Sequence, residues 1–385
     1  MTTTHTLLPP SILLVDDDKV TRLIMKSLLV KHGYHVTDVD TGEECLDVFQ
    51  ASRPDMILLD AKMPGIDGFT CCSKIKHMPG GDRTPIMMIT GLNDSNSVDQ
   101  AFDAGAIDYV TKPIHPAVLT RRLRRILEGE QAKQTLEKQH QLLQEELTEA
   151  SEYVCNLLPK PLSAPVMVNC MFEPSLDLGG DAFDYYWIDD HHLVMYLVDV
   201  AGHGAKSALL SVSVLNILRS QALVGADLYQ PSTVLAKLNE IFEMSDNGGN
   251  YFTIWYGVYN RETRKLIYSS GGHPPAVLIF NSNTIPTAKR LDSDGIPIGM
   301  MPDWEFEDEF CTIAENDHLY IFSDGVYEIE NDNGHLWGFD AFVEVLKTNR
   351  NQQMSNALES VFKEAKQFSG CDTLNDDFSI IEMKF

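Results

Sequence analysis

Between residues 12 and 126, short apolar runs alternate with amphipathic stretches, and few folds accommodate that alternation. The runs are Ile12 to Val15, Val36 to Val39, Met56 to Leu59, Ile86 to Ile89 and Tyr109-Val110, with helix-like segments between them. Repeated β-α units of this kind predict a five-stranded parallel sheet. In such sheets function gathers at the carboxyl ends of the strands. Those ends carry Asp16-Asp17-Asp18, then Asp60, Thr90 and Lys112-Pro113. Carboxylates, a hydroxyl and an ammonium together suit a divalent cation beside a phosphoryl group held on one aspartate. A single aspartate at a strand end is usually a helix cap and a lone lysine is usually solvated. The same residues at the matching ends of one sheet outweigh that reading, and only Asp18 is expected to be a simple cap.

This region resembles a response-regulator receiver domain, an α/β flavodoxin-like fold, over residues 10–127. The resemblance rests on Val15-Asp16-Asp17, on Asp60 followed by Met63-Pro64-Gly65 and Asp67-Gly68, on Thr90, and on Tyr109-Val110-Thr111-Lys112-Pro113. It implies that Asp60 is the phosphoacceptor and that Asp16, Asp17, Asp60 and the carbonyl of Lys62 hold Mg²⁺. By the same likeness Thr90 binds phosphoryl oxygens, Lys112 pairs with the phosphate, and Tyr109 is the aromatic switch. A sensor histidine kinase is the implied phosphoryl donor.

Residues 116 to 158 carry no strand signal. Leu136, Leu143, Leu147, Ala150, Val154 and Leu157 follow the three-four spacing of a coiled-coil seam, with His140 on it. Leu119, Leu123 and Ile126 share the spacing, but Glu128-Gly129-Glu130 shifts its phase. A helical glycine costs only about 1 kcal/mol, so a continuous helix with a stutter is predicted. The linker, residues 128–158, is expected to pair two chains as a homodimer, with packing along its own catalytic domain as the alternative. Pro159, Pro161 and Pro165 end it.

Beyond Pro165 the pattern changes to β-rich runs at His192 to Val198, Phe252 to Tyr259, Lys265 to Ser269, Ala276 to Phe280 and His318 to Phe322. Helical patterns run from Lys206 to Leu223 and from Ser232 to Asp246. The mix predicts an α+β domain, with two antiparallel sheets flanked by helices. Asp181, Asp199, Asp324 and Asp376 each sit beside a strand-like run in a glycine- or serine-containing turn. Carboxylates that converge repel one another by several kcal/mol unless protons or dications intervene, and hard oxygen ligands select Mg²⁺ or Mn²⁺.

Residues 153 to 385 resemble the metal-dependent protein phosphatases (PPM-type, protein phosphatase 2C-like) in their SpoIIE-like bacterial branch. The motifs are Leu157-Leu158-Pro159, Gly179-Gly180-Asp181-Ala182-Phe183-Asp184, Asp199-Val200-Ala201-Gly202-His203-Gly204, Tyr251-Phe252-Thr253, Gly271-Gly272-His273-Pro274-Pro275, Gly295-Ile296-Pro297-Ile298-Gly299, Ser323-Asp324-Gly325-Val326 and Asp376-Asp377-Phe378-Ser379. The resemblance implies a sandwich at 159–385 that binds two Mn²⁺ or Mg²⁺. Asp199 would bridge them, Asp181 and the carbonyl of Val200 would complete their shells, and Asp324 and Asp376 would hold the opposite ion. The implied reaction is hydrolysis of phosphoserine or phosphothreonine on a protein, an anti-sigma-factor antagonist in a partner-switching pathway, under control of Asp60. Asp184 and Asp377 are placed equally as further carboxylates or as hydrogen-bond partners behind the ligands. His203 is a minor general-acid candidate, and His273 reads as a turn residue.

The formal net charge of −26 opposes a protein that coats nucleic acid or an anionic membrane. The basic cluster of Arg121, Arg122, Arg124 and Arg125 is expected to be a solvated helix face paired with acids. Seven cysteines without a zinc-type spacing suggest neither a disulfide framework nor a zinc site, and Cys71-Cys72 is expected as half-buried helix packing. With no signal-like start and no apolar run of about 18 residues, a cytoplasmic location is expected. Two other readings compete. A non-enzymatic adaptor with a phosphatase-like fold should have lost metal ligands, whereas all four aspartates are present. A diguanylate cyclase is disfavoured because Ala182 replaces an acid its signature needs.

Overall fold

The computed structural model describes residues 9–91, 95–202, 204–221, 223–243, 249–282, 285–350, 354–371 and 373–385. The chain divides into two compact units, residues 1–142 and 143–385.

In the first unit, strands β1 (Ser11–Val15), β2 (His35–Val39), β3 (Met56–Asp60), β4 (Ile86–Thr90) and β5 (Asp108–Thr111) form a parallel sheet in the order β2-β1-β3-β4-β5. Helices α1 (Lys19–Lys31), α2 (Gly42–Ser52), α3 (Gly68–Lys76) and α4 (Ser95–Asp103) alternate with them. Successive strand residues point to opposite faces, and both faces are covered, which is why the strands read as continuous apolar runs. Leu13, Val15, Ile57, Leu59, Ile86 and Met88 meet Cys45, Phe49, Cys71, Cys72 and Ile75 on one face. Ile12, Leu14, Met56, Leu58, Met87 and Ile89 meet Met25, Leu29, Leu119 and Leu123 on the other. Cys71 and Cys72 are packing residues of α3, but both are fully buried where half-burial was expected. Asp18 caps α1 by accepting from the amides of Val20 and Thr21.

Helix α5 (Pro116–Leu157) runs unbroken for 42 residues, through Glu128-Gly129-Glu130. No atom lies within 4 Å of a Cβ placed on Gly129, so the glycine there is not required by packing. Leu119 and Leu123 are buried, whereas Leu136 and Leu143 are 67% and 57% exposed. Arg122 bonds the Asp108 carboxylate at 2.5 Å, the acidic pairing expected for the basic cluster. Among the described residues no helix is long and apolar enough to cross a membrane.

The second unit stacks two antiparallel sheets between helices. One sheet has the order β13 (Glu309–Thr312), β10 (Lys265–Gly271), β9 (Phe252–Asn260), β8 (His192–Val200), β7 (Ala182–Trp187). The other has the order β12 (Ile285–Leu291), β11 (Ala276–Ser282), β14 (His318–Phe322), β15 (Phe378–Lys384), β6 (Met167–Glu173). The layer between them is filled by Phe183, Leu193, Met195, Leu197, Trp255, Leu319, Ile321, Ile381 and Met383. Helices α6 (Ala205–Arg219) and α7 (Pro231–Ile241) cover the outer face of the first sheet, and α8 (Phe339–Asn349) and α9 (Met354–Ser369) cover that of the second.

This corrects the sequence reading in detail. Among the described residues this unit has four α-helices where two helical patterns were expected; β7 and β15 are the strand-like runs beside Asp181 and Asp376, and strands β6, β12 and β13 were not named. Helix α6 stops at Arg219 instead of Leu223, where Gln221 takes a positive φ of 53°. Helix α7 ends at Ile241, and the expected extension to Asp246 falls outside the described residues.

Candidate functional site

The first site is at the carboxyl end of the parallel sheet. Carboxylate oxygens of Asp16, Asp17 and Asp60 lie within 4.8 Å of one another. Asp16 and Asp60 are buried and Asp17 is exposed, so the cluster opens on one side to solvent. Lys112 Nζ donates to Asp16 at 2.9 Å and to Asp60 at 3.0 Å. Burial raises the pKa of Asp60; Lys112 opposes the shift, and the charges of Asp16 and Asp17 reinforce it. For Lys112, burial works against the charge, but the bonds to Asp16 and Asp60 prevail and hold its pKa above the ordinary value. An added dication or phosphoryl group therefore enters a site with one fixed cation and three acids.

Neighbouring elements build this site by register. Asp60 ends β3 and Thr90, 2% exposed, ends β4, and the Lys112 amide donates to the Thr90 carbonyl at 2.7 Å. Tyr109, on β5, stands edge-on to Phe102 with ring centroids 6.0 Å apart. Lys62 is exposed in the loop after Asp60. Asp67 caps α3 through the Thr70 amide at 2.8 Å. A Cβ on Gly68 would lie 2.1 Å from the Asp60 carbonyl oxygen, so only glycine fits behind the acceptor strand.

The second site is at one end of the layer between the two antiparallel sheets. Leu193, Met195 and Leu197 of β8 point into that layer, and the same alternation carries Asp199 onto its face. Phe183 and Tyr185 place Asp181 likewise, just before β7, and Trp255 places Thr253. Leu319 and Ile321 lead to Ser323 and Asp324, while Met383 and Ile381 lead back to Ser379 and the Asp376-Asp377 turn. Strand alternation thus places Asp181 and Asp199 at one end of the layer, and the turns after β14 and before β15 bring Asp324 and Asp376 to the same end.

Their electrostatics follow from the crowding. Burial first, then the charges of Asp324, Asp376 and Asp377, pushes Asp199 up to about 7, against a hydrogen bond from Asp181. Asp181 is raised well above the carboxylate range by burial, then by Asp199 and Asp377, with the Ser379 and Ser323 hydroxyls opposing. Asp324 is raised by burial and by Glu328. Asp181 Oδ2 is buried without a hydrogen-bond partner, although a buried acceptor left unsatisfied costs about 1–3 kcal/mol. An orphaned buried oxygen amid repelling carboxylates fits a divalent cation. Among the described residues these aspartates do not form a trio as tight as Asp16, Asp17 and Asp60.

Two further carboxylates separate in role. Asp377 accepts from Ser175 N at 2.8 Å, Ser175 Oγ at 3.0 Å, Gly180 N at 2.6 Å and Asp181 N at 3.4 Å, and so folds the loop that presents Asp181. A Cβ on Gly180 would lie 2.8 Å from the Val200 carbonyl, which puts the Asp181 and Asp199 loops in contact. Asp184 instead points to the outer face and pairs with Arg219 at 2.7 Å, whose Nη2 donates to the Leu157 carbonyl at 2.9 Å. It is therefore not a partner behind the ligands, because it follows Asp181 by three residues and lies on the opposite face of the strand. His203 lies outside the described residues. His273 is buried, with Nδ1 2.8 Å from Thr253 Oγ1. Ser175, Thr253, Ser323 and Ser379 were given no role from sequence, although the last three lie inside motifs quoted above.

Comparison with known proteins bears on the family and fold of both units. Residues 12–124 match the response regulator receiver domain, and residues 189–385 match the Stage II sporulation protein E (SpoIIE) model. The transcriptional regulatory protein AfsQ1 of Streptomyces coelicolor is 39% identical over 118 residues, 31% of this chain and 51% of that protein. The phosphoserine phosphatase RsbP of Bacillus subtilis is 29% identical over 185 residues, 48% of this chain and 45% of that protein. The chain thus spans about half the length of these curated relatives. The SiaA-PP2C domain of Pseudomonas aeruginosa superposes with a TM-score of 0.54 at 18% identity, covering 64% of this chain and 98% of that one, which shows the fold. The molecule is a receiver domain joined by a long helix to a PP2C-type phosphatase fold. The chain belongs to the SpoIIE family.

Proposed function

We propose that this chain is a response regulator whose output is metal-dependent dephosphorylation of a phosphoserine or phosphothreonine protein. The observation that carries the reading is the gathering of buried Asp181, whose Oδ2 has no hydrogen-bond partner, and half-buried Asp199 with Asp324 and Asp376 at one end of the inter-sheet layer. Asp199, Asp181, the Val200 carbonyl, Asp324 and Asp376 would hold two Mn²⁺ or Mg²⁺. Bound there, the ions supply a water nucleophile at neutral pH and offset phosphoryl charge. Asp377 keeps the Asp181 loop in place, so that Asp181 and Asp199 would present their carboxylate oxygens to the ions.

In the receiver, Asp60 would take the phosphoryl group from a sensor histidine kinase, with Mg²⁺ held by Asp16, Asp17, Asp60 and the Lys62 carbonyl. Lys112 would move from a carboxylate pair to a phosphate pair, Thr90 would bond the phosphoryl oxygens, and Tyr109 would report the change. The domains run 10–127, 128–158 and 159–385, with the exposed seam of α5 pairing two chains. Similarity to the phosphoserine phosphatase RsbP supports a phosphoserine substrate, and the substrate class we propose is an anti-sigma-factor antagonist in a partner-switching pathway. The test is phosphate release from a phosphoserine form of such a protein, with Mn²⁺ and with chelator. Wild type should release phosphate only with metal and Asp199→Asn should not; activity of Asp199→Asn within threefold of wild type would sink the assignment.

A further inference from the structure

One side chain holds the carboxyl end of α5. The Leu157 carbonyl would find its helical partner on the N–H four residues on, but that residue is Pro161, which has none. Arg219, the last residue of α6, takes that place, and its Nη2 donates to the Leu157 carbonyl at 2.9 Å. Its Nε donates to Asp184 Oδ2 at 2.7 Å. The Asp184 side chain is 4% exposed and that of Arg219 38% exposed. The other Asp184 oxygen accepts from the Tyr185 amide at 2.8 Å, and among the described residues no other cation pairs with this carboxylate. A buried carboxylate stripped of its cation is strongly disfavoured, so Arg219 stays with Asp184 and the outer bond to Leu157 is the one free to open. A second bond, from the Tyr186 hydroxyl to the Leu218 carbonyl at 3.0 Å, fastens β7 to the last turn of α6. All these residues belong to the second unit.

Both elements that Arg219 joins lead to the carboxylate site. Asp181 immediately precedes β7, three residues before Asp184, and α6 starts at Ala205, in the turn that follows Asp199 and Val200. Leu158, directly after the end of α5, packs against the layer between the sheets and against the layer under α6 and α7.

Resting on the reading of this chain as a receiver-controlled phosphatase, we propose that Arg219 is a positioning residue, the joint through which the end of α5 bears on the segments that carry Asp181 and Asp199. With the Leu157 bond made, α5, α6 and β7 are registered against one another. With it open, α6 and β7 keep their pairing through Asp184 and are no longer tied to α5. The joint therefore has the two arrangements that coupling along a helix requires.

The test measures kcat on a phosphoserine form of an anti-sigma-factor antagonist with Mn²⁺, with and without beryllofluoride, in full-length wild type, Arg219→Lys and Asp184→Asn, together with the urea midpoint of each. Lysine keeps a positive charge beside Asp184 but offers one nitrogen where the guanidinium uses two. Asp184→Asn preserves side-chain shape, so it carries the test if Arg219→Lys fails to fold. Wild type should respond to beryllofluoride by about tenfold, within the range usual for coupled sites, and each variant by less than about twofold. An arginine that served only the fold would lower the urea midpoint and leave the response ratio intact. A folded variant that responds as wild type does would overturn the role of Arg219 alone, and unfolding of both variants would assign the pair to stability instead. Phosphate release by wild type that beryllofluoride does not change would overturn receiver control and this inference together. No metal-dependent release at all would overturn the phosphatase reading as well.

Discussion

Replacing Asp377 by alanine should loosen the second unit and weaken metal binding at the site proposed there at the same time. Its carboxylate takes three short hydrogen bonds, from Ser175 N at 2.8 Å, Ser175 Oγ at 3.0 Å and Gly180 N at 2.6 Å. A hydrogen bond to a charged group contributes about 1.5–3 kcal/mol, so the two amide bonds alone represent about 3–6 kcal/mol. Removing a negative charge beside Asp181 and Asp199 relieves repulsion on the order of 1–2 kcal/mol. The expected net loss is about 2–4 kcal/mol, and with a urea slope of about 1–3 kcal/mol per molar the midpoint falls by roughly 1 M or more. All four tryptophans, Trp187, Trp255, Trp304 and Trp337, lie in the second unit, so their fluorescence follows its unfolding without interference from the receiver. Unfolding is measured in chelator, and Mn²⁺ affinity separately. A variant with the wild-type midpoint and wild-type Mn²⁺ affinity would refute the idea that Asp377 builds the Asp181 loop.

Two further outcomes follow from the same geometry. Beryllofluoride or acetyl phosphate with Mg²⁺ should modify wild type and not Asp60→Ala; a mass shift from acetyl phosphate that persists in the variant would place the acceptor elsewhere. Because burial and neighbouring acids raise Asp199 to about 7, the site binds protons in competition with metal, so Mn²⁺ affinity should rise with pH through 7 and binding at neutral pH should release protons. Calorimetric heats that do not depend on buffer ionisation at pH 7 would contradict this.

Much of the receiver was legible because its chemistry lies at strand ends and its strands are uninterrupted apolar runs. Asp16, Asp60, Thr90 and Lys112 stand where the alternation placed them. The second unit was harder to read, for physical reasons visible in particular residues. Strand β15 carries Glu382, which is fully buried and would break an apolar pattern, yet His318 Nδ1 lies 2.9 Å from its carboxylate and Tyr320 donates to it at 2.7 Å. Strand β7 carries Asp184, which is satisfied by Arg219, 35 residues away. Helix α9 did leave a signal, since Leu358, Val361 and Ala365 recur at helical spacing and are buried. The partnership of Asp377 with Ser175 spans 202 residues, and no local pattern encodes such a contact.

The central claim is that the receiver governs the phosphatase, and the rate of phosphoserine hydrolysis tests it most directly. Receiver and phosphatase chemistry lie in separate units joined through α5, so coupling needs an element with two arrangements, and the phase shift of the apolar spacing at Gly129 provides a candidate. A tenfold change in rate corresponds to only about 1.4 kcal/mol. With a phosphoserine protein and Mn²⁺, beryllofluoride should raise the kcat of the full chain by about this factor. It should leave Asp60→Ala and a chain lacking residues 1 to 150 unchanged. Equal rates for the full chain with and without beryllofluoride and for the truncated chain would contradict receiver control.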